Sequence, residues 1–295
     1  MEYGAVFPTT EIGDDPIAIR DYAQAVEDLG FSYLLIYDHV LGAVHEGRQP
    51  PLTGPYTERH PFHEIFVTLG FLAGVTRRLG LATGVVILPQ RQTVLAAKQA
   101  AEVDVLSGGR LRLGLGTGWN TVEYDALGVE WDTRGPRFDE QVELMRRLWS
   151  EPVVDYTGRF HRVDRGGIAP RPARPIPLWF GGFAPPAIRR AARVGDGFFF
   201  ANAGQRSVAM IAELRRLLTE NGRDPAGYPI ELQVDYGSGE ERWRRVAERA
   251  RENGVTHLAC NTMSTTAAFF GSPAPNLTSP DQHVKALESF LKAMS

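Results

Sequence analysis

Eight short apolar segments alternate with stretches of helical length along the chain. The segments are six to ten residues long and continuously apolar, which is typical of buried strands. They are 2–8, 33–39, 79–88, 110–118, 177–182, 197–202, 230–236 and 256–262. Such strands separated by helices indicate a parallel sheet covered on both faces. Eight units in 295 residues favour a closed (β/α)8 (TIM) barrel, although periodicity alone leaves an open doubly wound sheet possible.

The intervening stretches have the end signals of helices. Pro16 behind Asp14 and Asp15 predicts a helix start, and Gly30 predicts its end. The other helices are predicted at 63–76, 93–109, 137–149, 185–195, 207–222, 240–254 and 281–295. The regular alternation predicts a single barrel domain over 1–295.

Three segments interrupt the alternation. Residues 41–62 form a long polar loop after the second strand, and 263–280 form a small-residue loop after the eighth. Residues 153–165 are predicted to form a hairpin that turns at Thr157-Gly158. The two loops follow the C-terminal ends of strands, where barrels carry their active sites, so we expect them to be lids or binding loops.

Composition and charge narrow the expected partners and cellular location of the protein. The net charge of −3, without a long run of one sign, argues against nucleic acid and anionic membranes. Cys260, the single cysteine, excludes an internal disulfide and suits a reducing cytoplasm. The N-terminal residues lack the pattern of a signal peptide, and no apolar stretch is long enough to span a bilayer. We therefore expect a cytoplasmic protein that acts on a small molecule.

The second strand candidate ends in Asp38 and His39. In a barrel these residues lie where the strand meets its loop, on the catalytic face. This position favours a chemical role for His39 over that of a satisfied interior histidine. For Asp38 a site role and a loop-capping role are equally compatible with the sequence.

Glycines mark three further strand ends. Gly84 interrupts the third strand, where it predicts a bulge, a close backbone approach or simple packing. Gly114, Gly116 and Gly118 alternate along the fourth, but their spacing is not that of a dinucleotide fingerprint and no helix start follows them. Trp119 then offers a flat apolar wall.

The segment 180–190 ends a strand in Gly181-Gly182 and starts a helix at Pro185-Pro186. Free N–H groups at such a helix start are suited to phosphate, and an ordinary turn remains an equal alternative. No metal site is predicted, because His60 and His63 lack the spacing of zinc ligands.

Three stretches together resemble the bacterial-luciferase-like superfamily, and within it the oxidoreductases of actinobacteria that depend on the deazaflavin coenzyme F420. They are IYDHV at 36–40, the block 81–119, and PLWFGGFAPPAIRRAARVGDGFFF at 177–200. The resemblance extends to about residue 202 and implies a (β/α)8 barrel, usually a homodimer, with a flavin or deazaflavin at its C-terminal mouth.

The resemblance also implies roles for individual residues. His39 is the expected catalytic acid/base, and Asp38 is expected to contact the polar edge of the cofactor ring. The Gly84–Val85 peptide is the expected non-prolyl cis bond. The other expected cofactor-binding residues are Thr83, Gly84 and Val85 on strand three, Thr117, Gly118 and Trp119 after strand four, and Gly181, Gly182, Phe183 and Ala184 in the phosphate loop.

Trp119 departs from the related sugar-phosphate dehydrogenases, which have a glutamate base at this position, so oxidation of the same alcohol is put in doubt. The first hypothesis is F420-dependent hydride transfer to or from an organic small molecule. The alternatives are an FMN-dependent monooxygenase and a flavin-binding protein without turnover. Arg48 and Arg59 are candidates for binding the acidic tail of F420, and Phe269 with Phe270 suggests a partly apolar pocket.

Overall fold

The strands close into a parallel barrel. The computed structural model describes residues 1–294, and its strands are β1 (Glu2–Val6), β2 (Tyr33–Ile36), β3 (Gly80–Thr83), β4 (Val86–Ile87), β5 (Leu111–Gly116), β6 (Val154–Thr157), β7 (Arg162–Gly166), β8 (Leu178–Gly181), β9 (Gly197–Phe200), β10 (Ile230–Asp235) and β11 (His257–Asn261). The barrel order is β3-β2-β1-β11-β10-β9-β8-β5, and β3 pairs in turn with β5, which closes it. The predicted (β/α)8 barrel is confirmed.

Helices surround the barrel. They are α1 (Pro16–Asp28), α2 (Ile65–Val75), α3 (Thr93–Leu106), α4 (Thr121–Ala126), α5 (Arg134–Ser150), α6 (Pro185–Val194), α7 (Gln205–Glu220), α8 (Glu240–Glu252), α9 (Ser264–Phe269) and α10 (Pro280–Met294). α1 begins at Pro16 as predicted, because the Asp15 side chain accepts a hydrogen bond from the Ile17 N–H at 2.9 Å. None of the helices within residues 1–294 combines the length and apolar character needed to cross a bilayer.

Two short helices contradict the sequence predictions. α4 follows directly after the glycine-rich strand, where no helix start was expected, because Asn120 caps it by accepting from the N–H groups of Val122 and Glu123. α9 lies inside the predicted loop 263–280, because the Glu11 carboxylate accepts from the first N–H groups of that helix. Glu11 is remote in sequence, so no local pattern announces α9.

The predicted third strand, 79–88, is divided into β3 and β4. Its two parts are separated by the Gly84–Val85 peptide, which is cis, as the resemblance implied. The hairpin of β6 and β7 is also observed, but its turn spans 158–161 rather than Thr157-Gly158. The reason is Glu140 on α5, whose carboxylate accepts from the N–H groups of Arg159 and Phe160 and widens the turn.

Arg112 fills the N-terminal end of the barrel interior. Its guanidinium lies between the rings of Tyr33 and Trp179, at 4.2 and 4.1 Å from their centroids. It also donates to the carboxylate of Glu231 at 2.7 Å, and the Glu231 side chain is fully buried. A buried carboxylate of this kind is tolerated because a cation faces it.

Replacing Arg112 with Ala is expected to lower the free energy of unfolding by about 3–5 kcal/mol, because Glu231 would lose its charged partner. Urea unfolding followed by circular dichroism measures the change. The control Arg245→Ala removes an exposed arginine that pairs with Glu241 on α8, and should leave the midpoint nearly unchanged. Equal midpoints for Arg112→Ala and wild type would contradict the assignment of this pair as a stabilising one.

Candidate active site

The C-terminal ends of the barrel strands open into a cavity of about 580 Å³. Of the residues predicted for the site, those that line it are Asp38, His39, Gly84, Val85, Thr117, Gly118, Trp119, Gly181, Gly182, Phe183 and Ala184. The lining residues that sequence reasoning did not assign to cofactor or catalysis are Tyr37, Thr53, Gly54, Pro55, Tyr56, Ile87, Gly116, Ala187, Phe199, Ala201, Asn202, Arg206, Thr266, Phe269 and Phe270. The cavity therefore joins strand ends, the loop after β2 and α9.

Thr83 is the predicted residue that the structure keeps away from the cavity. It is buried, and its hydroxyl exchanges two hydrogen bonds of 2.8 Å with the backbone N–H and C=O of Gly114. A Cβ on Gly114 would lie 1.9 Å from the Thr83 carbonyl oxygen, so the two strands approach closely here. Thr83 joins β3 to β5 rather than facing a ligand.

His39 is held on two sides at the edge of the cavity. Its Nδ1 lies 3.2 Å from Oε2 of Glu123, and its side chain is 9% exposed. The rings of Tyr56, Phe62 and Trp119 meet the imidazole edge-to-face, with centroid distances of 5.2, 4.9 and 5.5 Å. Within residues 1–294 no hydrogen bond engages Nε2, so that nitrogen remains for a ligand.

Glu123, which contacts His39, is a residue of the candidate site that sequence reasoning missed. Its side chain is 1% exposed, and besides His39 it accepts hydrogen bonds from the N–H groups of Val40 and Leu41 and from Nε2 of Gln90. Burial alone would raise the pKa of Glu123, but His39 and the two N–H groups outweigh it and the pKa is lowered. The carboxylate is therefore charged at neutral pH and fixes the imidazole.

Asp38 has two internal partners. Its carboxylate accepts from Arg91 at 2.7 Å and from the Ile87 N–H at 3.1 Å, while Arg91 also reaches Glu64. Burial raises the pKa of Asp38, although Arg91 and the Ile87 N–H counteract it. The side chain lines the cavity but also ties the end of β2 to β4, so both roles considered for Asp38 are compatible with its position.

The glycines at two strand ends make room for Val85. A Cβ on Gly116 would lie 2.5 Å from Cγ2 of Val85, and a Cβ on Gly181 would lie 3.0 Å from Cγ1 of the same side chain. A Cβ on Gly181 would also lie 2.5 Å from Cε1 of Phe199, and contacts of 2.5 Å are too short for real side chains, so both positions favour glycine. Val85 thus stands between β5 and β8 and lines the cavity.

The loop 181–184 differs from the prediction of free N–H groups at the start of α6. Pro185 and Pro186 occupy the first helical positions and have no N–H, and the Ala187 N–H is bonded to the Ala184 carbonyl at 2.9 Å. The amides left for an anion are those of the loop itself. Arg206 at the start of α7 donates to the Phe183 carbonyl at 2.6 Å, which places a positive charge beside the loop.

The two arginines proposed for the cofactor tail do not line the cavity. Arg48 donates to the Val44 carbonyl, and the side chain of Arg59 is 87% exposed and paired with Glu58. Arg206 lines the cavity instead. It lies at the start of a helix with no unusual sequence signal, so only the fold could reveal it.

The sequence profile of the luciferase-like monooxygenase family matches residues 1–282. The chain belongs to this family. One relative among the luciferase-like proteins is the F420-dependent glucose-6-phosphate dehydrogenase of Nakamurella multipartita. The alignment is 296 positions long, with 30% identity, and it covers 94% of this chain and 84% of the relative.

Two solved structures share the luciferase-like fold. An F420-dependent secondary alcohol dehydrogenase in complex with an F420–acetone adduct has a TM-score of 0.75 and 17% identity, with 100% of this chain and 99% of that chain covered. The monooxygenase RslO1 from Streptomyces bottropensis has a TM-score of 0.74 and 19% identity, with the same coverage. Their similar scores show that the barrel alone does not distinguish the two chemistries.

In Glu123→Gln the free energy of unfolding is expected to fall less steeply between neutral and acid pH than in the wild type. Because the pKa of Glu123 is lowered in the folded state, its stabilisation is present above about pH 4.5 and is lost as the pH falls through the lower folded value. Urea unfolding at intervals from neutral to acid pH measures this. Glu248→Gln on the exposed face of α8 removes one charge without these contacts and should keep the wild-type slope. If the free energy of unfolding of Glu123→Gln depended on pH as it does in the wild type, a stabilising charge on Glu123 would be contradicted.

Proposed function

We propose that this luciferase-like protein is an F420-dependent oxidoreductase that transfers hydride between the deazaflavin and an organic small molecule. The observation that carries the proposal is the pair of His39 and Glu123 at the cavity, 3.2 Å apart. Hydride transfer to a carbonyl or alkene leaves a proton to be delivered, and a histidine held by a carboxylate is suited to that task. The relation to an F420-dependent dehydrogenase supports the same cofactor.

The lining of the cavity supports the binding of a flat ring with a phosphate-bearing tail. Val85 offers a raised apolar surface and Ile87 a further wall, while the loop 181–184 with Arg206 offers amides and a positive charge at one side. F420 supplies a carbon-based hydride donor or acceptor when bound. The phosphate and acidic tail of F420 suit the side of the cavity that carries Arg206.

The chain's own residues supply the proton and its surroundings. Glu123 accepts from Nδ1 of His39, so the imidazole keeps Nε2 toward the cavity and shares any positive charge with a buried carboxylate. In the reductive direction Nε2 gives its proton to the substrate, and in the oxidative direction it takes one. Tyr56 and Trp119 exclude water from the imidazole edge.

An FMN-dependent monooxygenase is the second candidate. A reactive oxygen adduct requires a dry cavity, and the walls formed by Ile87, Trp119 and Phe199 would provide one. The pair of His39 and Glu123 favours hydride transfer over this alternative, because it provides a proton donor beside the expected position of the cofactor ring.

His39→Ala is expected to lower kcat for oxidation of reduced F420 by about 10²–10⁴-fold while F420 affinity changes little, because general acid catalysis contributes rate rather than binding. The assay follows F420 absorbance with a panel of carbonyl and alkene acceptors, alongside F420 and FMN affinities of the purified protein. His161→Ala, on the β6–β7 hairpin, is the matched control and should keep wild-type turnover.

Two results would contradict the proposal. Tight FMN binding and oxygen-dependent turnover without F420 binding would favour the monooxygenase. F420 binding with no turnover, and no difference between wild type and His39→Ala, would indicate a binding protein without catalysis.

We also propose a homodimer through α2 and α3. α2 contains no charged residue between Ile65 and Val75, and it packs against α3. Its Val67 is 71% exposed and Phe71 39%, and neighbouring Leu95 on α3 is 52% exposed. A second copy offering the same apolar face would remove these side chains from water.

Val67→Glu with Phe71→Glu is expected to convert the protein to monomers, since two charges per subunit would be buried in the interface. Sedimentation velocity measures the mass. Ile17→Glu on α1 replaces a residue that is 56% exposed outside this face, and it should leave the dimer intact. A monomeric wild type would contradict the proposal.

A further inference from the structure

We infer that the substrate side of the cavity accepts an uncharged, largely apolar carbonyl compound and discriminates against phosphorylated and carboxylated ones. The reaction of such a compound rests on the proposed function, whereas the preference for uncharged ligands is a property of binding alone. The substrate side is defined as the lid segment 53–56, Trp119, the α9 residues Thr266 and Phe269, and Phe270 directly after α9.

The charges around the cavity are distributed unevenly. Among its lining residues within 1–294, the acidic, basic and imidazole side chains are those of Asp38, His39 and Arg206. Asp38 is neutralised by Arg91 at 2.7 Å, so the pair offers no net charge. Arg206 lies beside the loop 181–184, to which it donates a hydrogen bond. The residues that define the substrate side therefore include no cation to offset an anion.

Trp119 is fixed as a wall of the substrate side. The backbone of Gly54 lies against its indole so closely that a Cβ there would be 2.1 Å from two ring atoms. His39 and His45 contact the same indole edge-to-face, at centroid distances of 5.5 and 5.8 Å. The lid and two imidazoles thus enclose the indole, which stays in place as an apolar wall.

A second wall of the substrate side is formed by α9 and the residue that follows it. Phe269 and Phe270 meet edge-to-face at 5.2 Å, and Phe269 remains 48% exposed at the rim of the cavity. Thr266 is buried, and its hydroxyl accepts from Asn261 at 2.7 Å. Aromatic surface of this kind gains most by covering an apolar ligand.

A phosphorylated sugar is poorly matched to these walls. A phosphate dianion needs arginine or lysine forks or free amides, and hydroxyl groups need polar partners. The residues of the substrate side include neither a cation nor a carboxylate, and their polar side-chain groups include the hydroxyls of Thr53, Tyr56 and Thr266. The substrate of the Nakamurella multipartita relative, glucose 6-phosphate, is therefore not the expected substrate here.

The proposed reaction is the reduction of the alkene of an α,β-unsaturated ketone. The alkene carbon distal to the carbonyl gains a hydride, with both electrons, from reduced F420. The F420 is thereby oxidised. The alkene π pair moves toward the carbonyl and forms an enolate. A proton from Nε2 of His39 then gives the saturated ketone, and solvent restores the proton to His39.

The probes are 4-carboxybenzylideneacetone and its methyl ester, which carry the same enone and differ in one charge. Isothermal titration of the purified protein, with and without F420, measures their affinities. The ester is expected to bind at least tenfold more tightly than the acid. With reduced F420, kcat/KM for the ester should exceed that for the acid by a similar factor.

Phe269→Arg tests the cause of the discrimination. A cation at this exposed rim position should reduce the preference for the ester to less than threefold. Val153→Arg places the same charge at a residue that is 57% exposed and does not line the cavity, and it should retain the full preference.

The outcomes separate the two proposals. Equal affinities, tighter binding of the acid, or no binding of either probe would overturn the inference even if F420 is used. Selective binding of the ester without oxidation of reduced F420 would support the inference and count against the proposed function.

Discussion

The buried carboxylate of Glu123 joins three separate strand ends of the barrel. It accepts hydrogen bonds from His39 and the amides of Val40 and Leu41 after β2, from Gln90 after β4, and itself lies on the helix after β5. Without these donors a carboxylate that is 1% exposed would be strongly unfavourable. Its charge and the position of the imidazole are therefore interdependent, and the chemistry proposed for the cavity depends on both.

Much of this architecture could be predicted because it is local or periodic. Continuously apolar segments indicate buried parallel strands, and strand-end residues such as His39 and Trp119 then fall on one face of the barrel. Glu123 could have been found as well: Asn120 followed three residues later by a glutamate is a helix-start signal, and α4 begins there. The start of α9 and the wide hairpin turn were not accessible, because they depend on Glu11 and Glu140, which lie far away in sequence or on another element.

The cavity combines two unlike halves. The side near the loop 181–184 carries backbone amides and Arg206, which suits a cofactor phosphate. The side near Trp119 and α9 is aromatic and without net charge. In the proposed function, His39 is the one proton-transfer group of a site whose cofactor end is electrostatic and whose substrate end is apolar.

A crystal structure with F420 bound tests the central claim most directly. We expect the ring system to lie in the cavity against Val85, the phosphate at the loop 181–184, and Nε2 of His39 on the open side of the ring while Nδ1 remains bonded to Glu123. A ring bound outside the cavity, or an imidazole turned away from both the ring and Glu123, would contradict the account.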